Sequence, residues 1–223
     1  MICDDAYAGK GTCKISALLL LDSLVTLGNR EGSRYVIDAF GRLNFIGVIV
    51  DSIKSIPYEL RNTNHSDIPA LLAFYTALLA LLLRISQTRL GATHVVNAGL
   101  FPAIRTSQIF SADPDIGLEI ENTQALEKFF RLMLSLLRVI NAVVVSRGTQ
   151  NDQTLTQARE FLQENRGCAV SVFKRNAGIG GKVEGNREEL NELVDQFTLL
   201  VSATGFMESE EKKFEERDRN VFS

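Results

Sequence analysis

TQALEKFFRLMLSLLRVINAVVVSR, residues 123–147, decides the fold. Leu126, Phe130, Met133, Leu137, Ile140 and Val144 recur at alternating steps of four and three, with Phe129 and Leu136 beside them on the same face. That spacing lines one face of an α-helix, and a strand, with its period of two, cannot reproduce it. Gly148 follows at once and ends the helix. The same period returns on both sides. Toward the C-terminus it predicts helices over 152–165, 168–174 and 187–203. Toward the N-terminus it predicts helices over 13–27, 33–40, 44–56 and 68–88, with two short ones at 91–98 and from Pro102 to about 108.

The punctuation between these segments is helical too. Gly28 reads as a left-handed cap after residue 27, Pro57 as the stop of the helix before it, and 58–67 as a polar loop. Ser66 or Asp67 is placed to cap the next helix, with Pro69 in its first turn, where a missing N–H costs nothing. Strand signals are weak. Val48, Ile49 and Val50, like Val143, Val144 and Val145, are β-branched but sit inside longer helical periods, and no two-residue hairpin turn is flanked by alternating residues. The expectation is an all-α protein of about ten unequal helices, stacked as an irregular armadillo/HEAT-like solenoid over residues 1–206. A Gly-rich connection occupies 177–186 and a charged, partly disordered tail 207–223.

Composition narrows the function. The chain has 223 residues, 45% hydrophobic and 23% charged, with net charge -3. It has material for a core and no electrostatic case for nucleic acid or anionic lipid. Cys3, Cys13 and Cys168 cannot all pair and form no CxxC, so reduced thiols are expected. The acidic start, with Asp4 and Asp5, does not read as a targeting segment, and none is expected there. The apolar run 68–83 includes Tyr75 and Thr76 and meets Arg84, short of the roughly 20 residues of a membrane span, so no direct membrane insertion is expected.

No motif carries chemistry. In Gly9-Lys10-Gly11-Thr12 a glycine separates the lysine from the hydroxyl that a phosphate loop needs beside it, and after Gly178 the segment ends in Lys182-Val183. His65 and His94 have no ligand spacing with the cysteines, and Ser66 beside His65 is not triad geometry. No catalytic residue, cofactor or metal site is predicted.

The informative surface is on the last helix. Leu190, Leu193, Val194, Phe197, Val201 and Thr204 share the side expected to face the core. Leu199 and Phe206, a heptad apart on the other side near Glu192 and Asp195, are expected to be exposed, with Phe197 at the edge of the patch. The charged stretch 208–219 is either a frayed, solvated helix or a cover folded over them, with Phe214 its one apolar anchor.

Residues 84–104, RISQTRLGATHVVNAGLFPAI, read as an armadillo-type unit: long helix, short helix, a corner at Ala98-Gly99-Leu100, and a further helix. With FFRLMLSLLRVINAVVV at 129–145 and AREFLQENRGC at 158–168, this order resembles the C-terminal tail of the large scaffold nucleoporins of the nuclear pore inner ring, in their fungal form, over about 15–206. The resemblance implies a tail fragment of a non-enzymatic α-solenoid adaptor at the nuclear envelope. It implies partners among other inner-ring nucleoporins, including a helical linker segment of the scaffold nucleoporin that anchors the central channel complex, held near Phe173 and Phe197. The single Phe40-Gly41 dipeptide is no repeat of the barrier-forming class. Rival readings are a transport-receptor or coat solenoid and a helical enzyme with a dispersed site.

Overall fold

The computed structural model describes residues 2–64, 66–111, 123–148, 151–178 and 187–221. Among them run α1 (Ile2–Ala8), α2 (Thr12–Arg30), α3 (Tyr35–Arg42), α4 (Phe45–Asp51), a 3-10 turn (Ser52–Ser55), α5 (Ile56–Asn62) and α6 (Ile68–Ser86). There follow α7 (Arg89–Asn97), α8 (Leu100–Ser107), α9 (Thr123–Arg147), α10 (Asp152–Glu164), α11 (Arg166–Asn176), α12 (Arg187–Thr204) and α13 (Phe206–Val221). No strand occurs among the described residues.

Four helices are long: α2 and α6 with 19 residues each, α9 with 25 and α12 with 18. They stand in a row, each packed on the next. The cross-contacts give their direction. The Lys14 ammonium lies 4.2 Å above the Phe74 ring, and eight residues on, Asp22 lies 3.4 Å from Arg84. Pro69, Leu72 and Thr76 near the start of α6 share a cavity wall with Lys128 and Leu132 near the start of α9. Between α9 and α12, Arg131 meets Glu189 at 3.1 Å, Arg138 pairs with Glu192, and Asn141 donates to the Gln196 side chain at 2.8 Å. Partner numbers rise together at the first and last seams, and at the middle one start lies beside start, so neighbouring long helices are parallel. The short helices carry the chain back between them. Parallel stacking of equivalent helices in successive units is the solenoid arrangement, and the all-α reading holds.

The core follows from that row. α9 lies between α6 and α12, so both its faces are covered: Phe130, Met133, Leu137 and Ile140 are buried, and so are Leu132, Leu134, Val139 and Val143. The sequence period marks one face; the second is apolar because two neighbours claim this helix. α6 buries Tyr75, Leu78, Leu79, Leu81, Leu82 and Ile85. By length and composition alone α6 and residues 128–147 could cross a membrane. Here they are the two central members of the row, packed against α2, α7 and α12.

Two boundaries differ from expectation. Gly28 does not cap α2; it is buried within it, and the left-handed residue is Gly32 at φ 66. The Ser33 N–H donates to Gly28 O at 2.8 Å and the Gly32 N–H to Asn29 O at 3.3 Å, the paired bonds that satisfy the last carbonyls of a helix. Pro57 opens α5 rather than closing a helix, because the first turn needs no amide there; the 3-10 turn before it tightens the chain, and residues 58–62 are helical, not loop. The charged segment after 206, read as a frayed helix or a cover, is helical through Val221. The Gly-rich stretch 179–186 and His65 lie outside the described residues.

Candidate partner-docking surface

Phe197, expected at the rim of an exposed patch, is fully buried. Its ring meets Phe110 at 6.4 Å, nearly perpendicular, and Phe110 stands edge-on to Phe161 at 5.0 Å. This aromatic chain ties α12 to α10 and the turn after α8. Phe197 is core, not contact surface.

Phe206 is also buried, against expectation. A heptad step from Leu199 requires unbroken helix, and the helix breaks between them. Gly205 has φ 58, α12 stops at Thr204, and Phe206 starts α13 in a new direction. Arg159 of α10 donates to the Thr204 carbonyl at 2.8 Å, and Lys213 of α13 reaches Gln163 of α10 at 3.3 Å, so α13 is held back against the body. The signal was present in the sequence: a glycine at 205 with Glu208, Glu210 and Glu211 within the next six residues is a helix stop and an acidic helix start. Phe214 lies outside the described side chains.

Leu199 is where the sequence puts it, 44% exposed. Glu192, one heptad earlier, is half-buried because it pairs with Arg138 rather than facing solvent. Phe173 of α11, near which the resemblance places the partner, is 40% exposed, and the structure adds Val170, one turn before it, at 42% and Met207 on α13 at 64%. α11 packs on α12 and α12 on α13, so four large exposed apolar groups are carried by three successive helices. Val170 and Phe173 at i and i+3, opposite the buried Cys168 and Val172, were the sequence signal for α11. Asp195 of α12 and Lys174 of α11 are exposed charges on the same helices. This surface offers apolar anchors and a few charges; it offers no nucleophile or base.

The remaining candidates do not assemble. Gly11 sits at the N-cap of α2 with φ 56, and the element before it is α1, not a strand. His94 lies half-buried against Gly41. Among the described residues no three His, Cys, Asp or Glu side chains converge on a metal position. Cys168 is buried, Cys13 exposed, and Cys3 half-buried with its thiol pKa raised by that burial.

Residues 1–204 match the family model described as Nup192, nuclear pore complex scaffold, nucleoporins 186/192/205. The nucleoporin NUP192 of Chaetomium thermophilum is 37% identical over 269 residues, which cover 96% of this chain and 15% of that protein. The chain therefore spans a small part of its relative's length, and the aligned stretch exceeds the chain, so the relative carries segments that this chain lacks.

Proposed function

Since the chain belongs to the Nup192 family of nuclear pore complex scaffold nucleoporins, we propose that it is a length of inner-ring solenoid whose last three helices hold a helical linker segment of another nucleoporin. On this reading it works at the nuclear envelope and supports nucleocytoplasmic transport by holding other proteins in place. It catalyses no reaction, takes no cofactor, and neither binds nucleic acid nor inserts in the membrane.

The observation behind the reading is the outward set Val170, Phe173, Leu199 and Met207 on α11, α12 and α13. A partner helix with apolar residues at i, i+3, i+4 and i+7 can cover such a set, and the binding energy concentrates in a few buried anchors. The partner proposed is the helical linker of the scaffold nucleoporin that anchors the central channel complex. Calorimetric titration of that segment tests it. Phe173→Glu and Leu199→Glu should each weaken binding by about 2 kcal/mol or more, because a desolvated charge replaces an apolar contact, while leaving the melting temperature near wild type. Phe197→Glu should instead unfold the C-terminal helices. Full-strength binding by both exposed-site variants would remove the assignment.

A further inference from the structure

A second surface lies between the starting turns of α6 and α9. Two adjoining cavities, of about 590 and 250 Å³, share Leu72, Lys128 and Leu132 and form one groove. Its floor and walls are apolar, with Leu60, Ile68, Leu72, Ile109 and Phe129 among them. The combined space is in the range that takes several side chains of a bound ligand.

The charges on this groove are one-sided. Arg61 of α5 and Lys128 and Arg131 of α9 line it, and among the described residues no Asp or Glu does. That is unexpected in a chain with 27 acidic and 24 basic residues. Arg131 is engaged by Glu189 at 3.1 Å. Arg61 and Lys128, both exposed, have no anionic partner among the described residues. They come from two helices and flank apolar space. Gln108, with φ 55, turns the backbone at the same wall, and Ser107 Oγ braces that turn by donating to Ile104 O at 2.7 Å.

We propose that this groove is a second docking site and takes an acidic amphipathic helix of a partner chain. The apolar walls call for aliphatic or aromatic anchors, and the unpaired cations call for carboxylates on the same segment. Nucleic acid would need a track of cations on a polar surface, not two flanking an apolar groove. The site shares no residue with the surface on α11, α12 and α13, so each stands or falls alone.

The test uses the full chain and a fluorescein-labelled synthetic helix, leucine at the i, i+3, i+4 and i+7 positions and glutamate elsewhere, read by anisotropy. The wild type should bind it and bind the lysine counterpart at least about tenfold more weakly, a difference of about 1.4 kcal/mol. Arg61→Glu with Lys128→Glu, both on exposed side chains, should lower affinity about tenfold or more with an unchanged melting curve. Leu72→Gln should weaken binding while Leu199→Glu leaves it intact. No binding by the wild type, or equal binding by the charge-reversed protein, would overturn the proposal. A further variant neutralises Asp113, Asp115, Glu119 and Glu121, the acids of the chain's own 112–122 segment. If the probe bound only that variant, the groove would belong to this segment and not to a partner.

Discussion

Tyr75 is wholly buried, yet its hydroxyl is not alone: it lies 3.2 Å from Ser55 Oγ, which also donates to Glu59 at 2.9 Å. Burial pushes the Tyr75 hydroxyl pKa above its ordinary value of 10.0, with Ser55 opposing and Glu59 adding to the shift. The folded protein therefore holds the neutral phenol after the unfolded chain would have ionised. Stability from this group is complete below the ordinary value and is lost as pH rises beyond it. Tyr75→Phe should cost about 1 kcal/mol at neutral pH through the lost hydrogen bond, and its stability should fall less steeply above pH 10. Urea midpoints of both proteins across that range check this; parallel decline would place the alkaline sensitivity elsewhere. At this scale the sequence was read unevenly. Leu199 was legible because Asp195 and Thr198 beside it are polar. Phe206 was misplaced because the helix stop that Gly205 signals was not read there, and the backbone angle at Gly205 shifts every later residue out of the helical register.

Elements were legible in their middles and less so at their ends. Helical periodicity accumulates over several turns, so α6, α9 and α12 are plain in the sequence, whereas a cap rests on one residue. Two glycines near the end of α2 compete for that role, and only the structure shows that Gly28 packs and Gly32 caps. Gly32→Ala should destabilise the protein by about 1 kcal/mol, since a Cβ makes the left-handed conformation unfavourable. A thermal melt reads the effect, and a variant as stable as wild type would mean the chain leaves α2 by another route. Proline was ambiguous for a related reason. The same missing amide that forbids a helix interior is harmless in a first turn, and Pro57 took the second option.

For the whole molecule, class and helix order were readable, but the parallel row was not. A hydrophobic period says which face is covered and is silent on which way the neighbour runs. That direction rests on contacts such as Asp22 with Arg84 and Arg138 with Glu192, far apart in the chain. The row also sets where damage spreads. Phe130→Ala, at the centre of α9, should cost about 3–5 kcal/mol as transfer energy and a cavity add together. Amide exchange should quicken first in α6, α9 and α12, the helices that share its seams, and later in α1 and α3, because stability in stacked units passes from neighbour to neighbour. Uniform acceleration along the chain would mean a single cooperative core instead. The three seams between the four long helices are joints in series. Side chains wedged across a seam resist compression strongly, since packed interiors barely change volume, but they yield slightly in tilt. Small tilts add along the row while changes of spacing do not. Under load the molecule acts as a leaf spring, bending a little at every joint before any one of them parts.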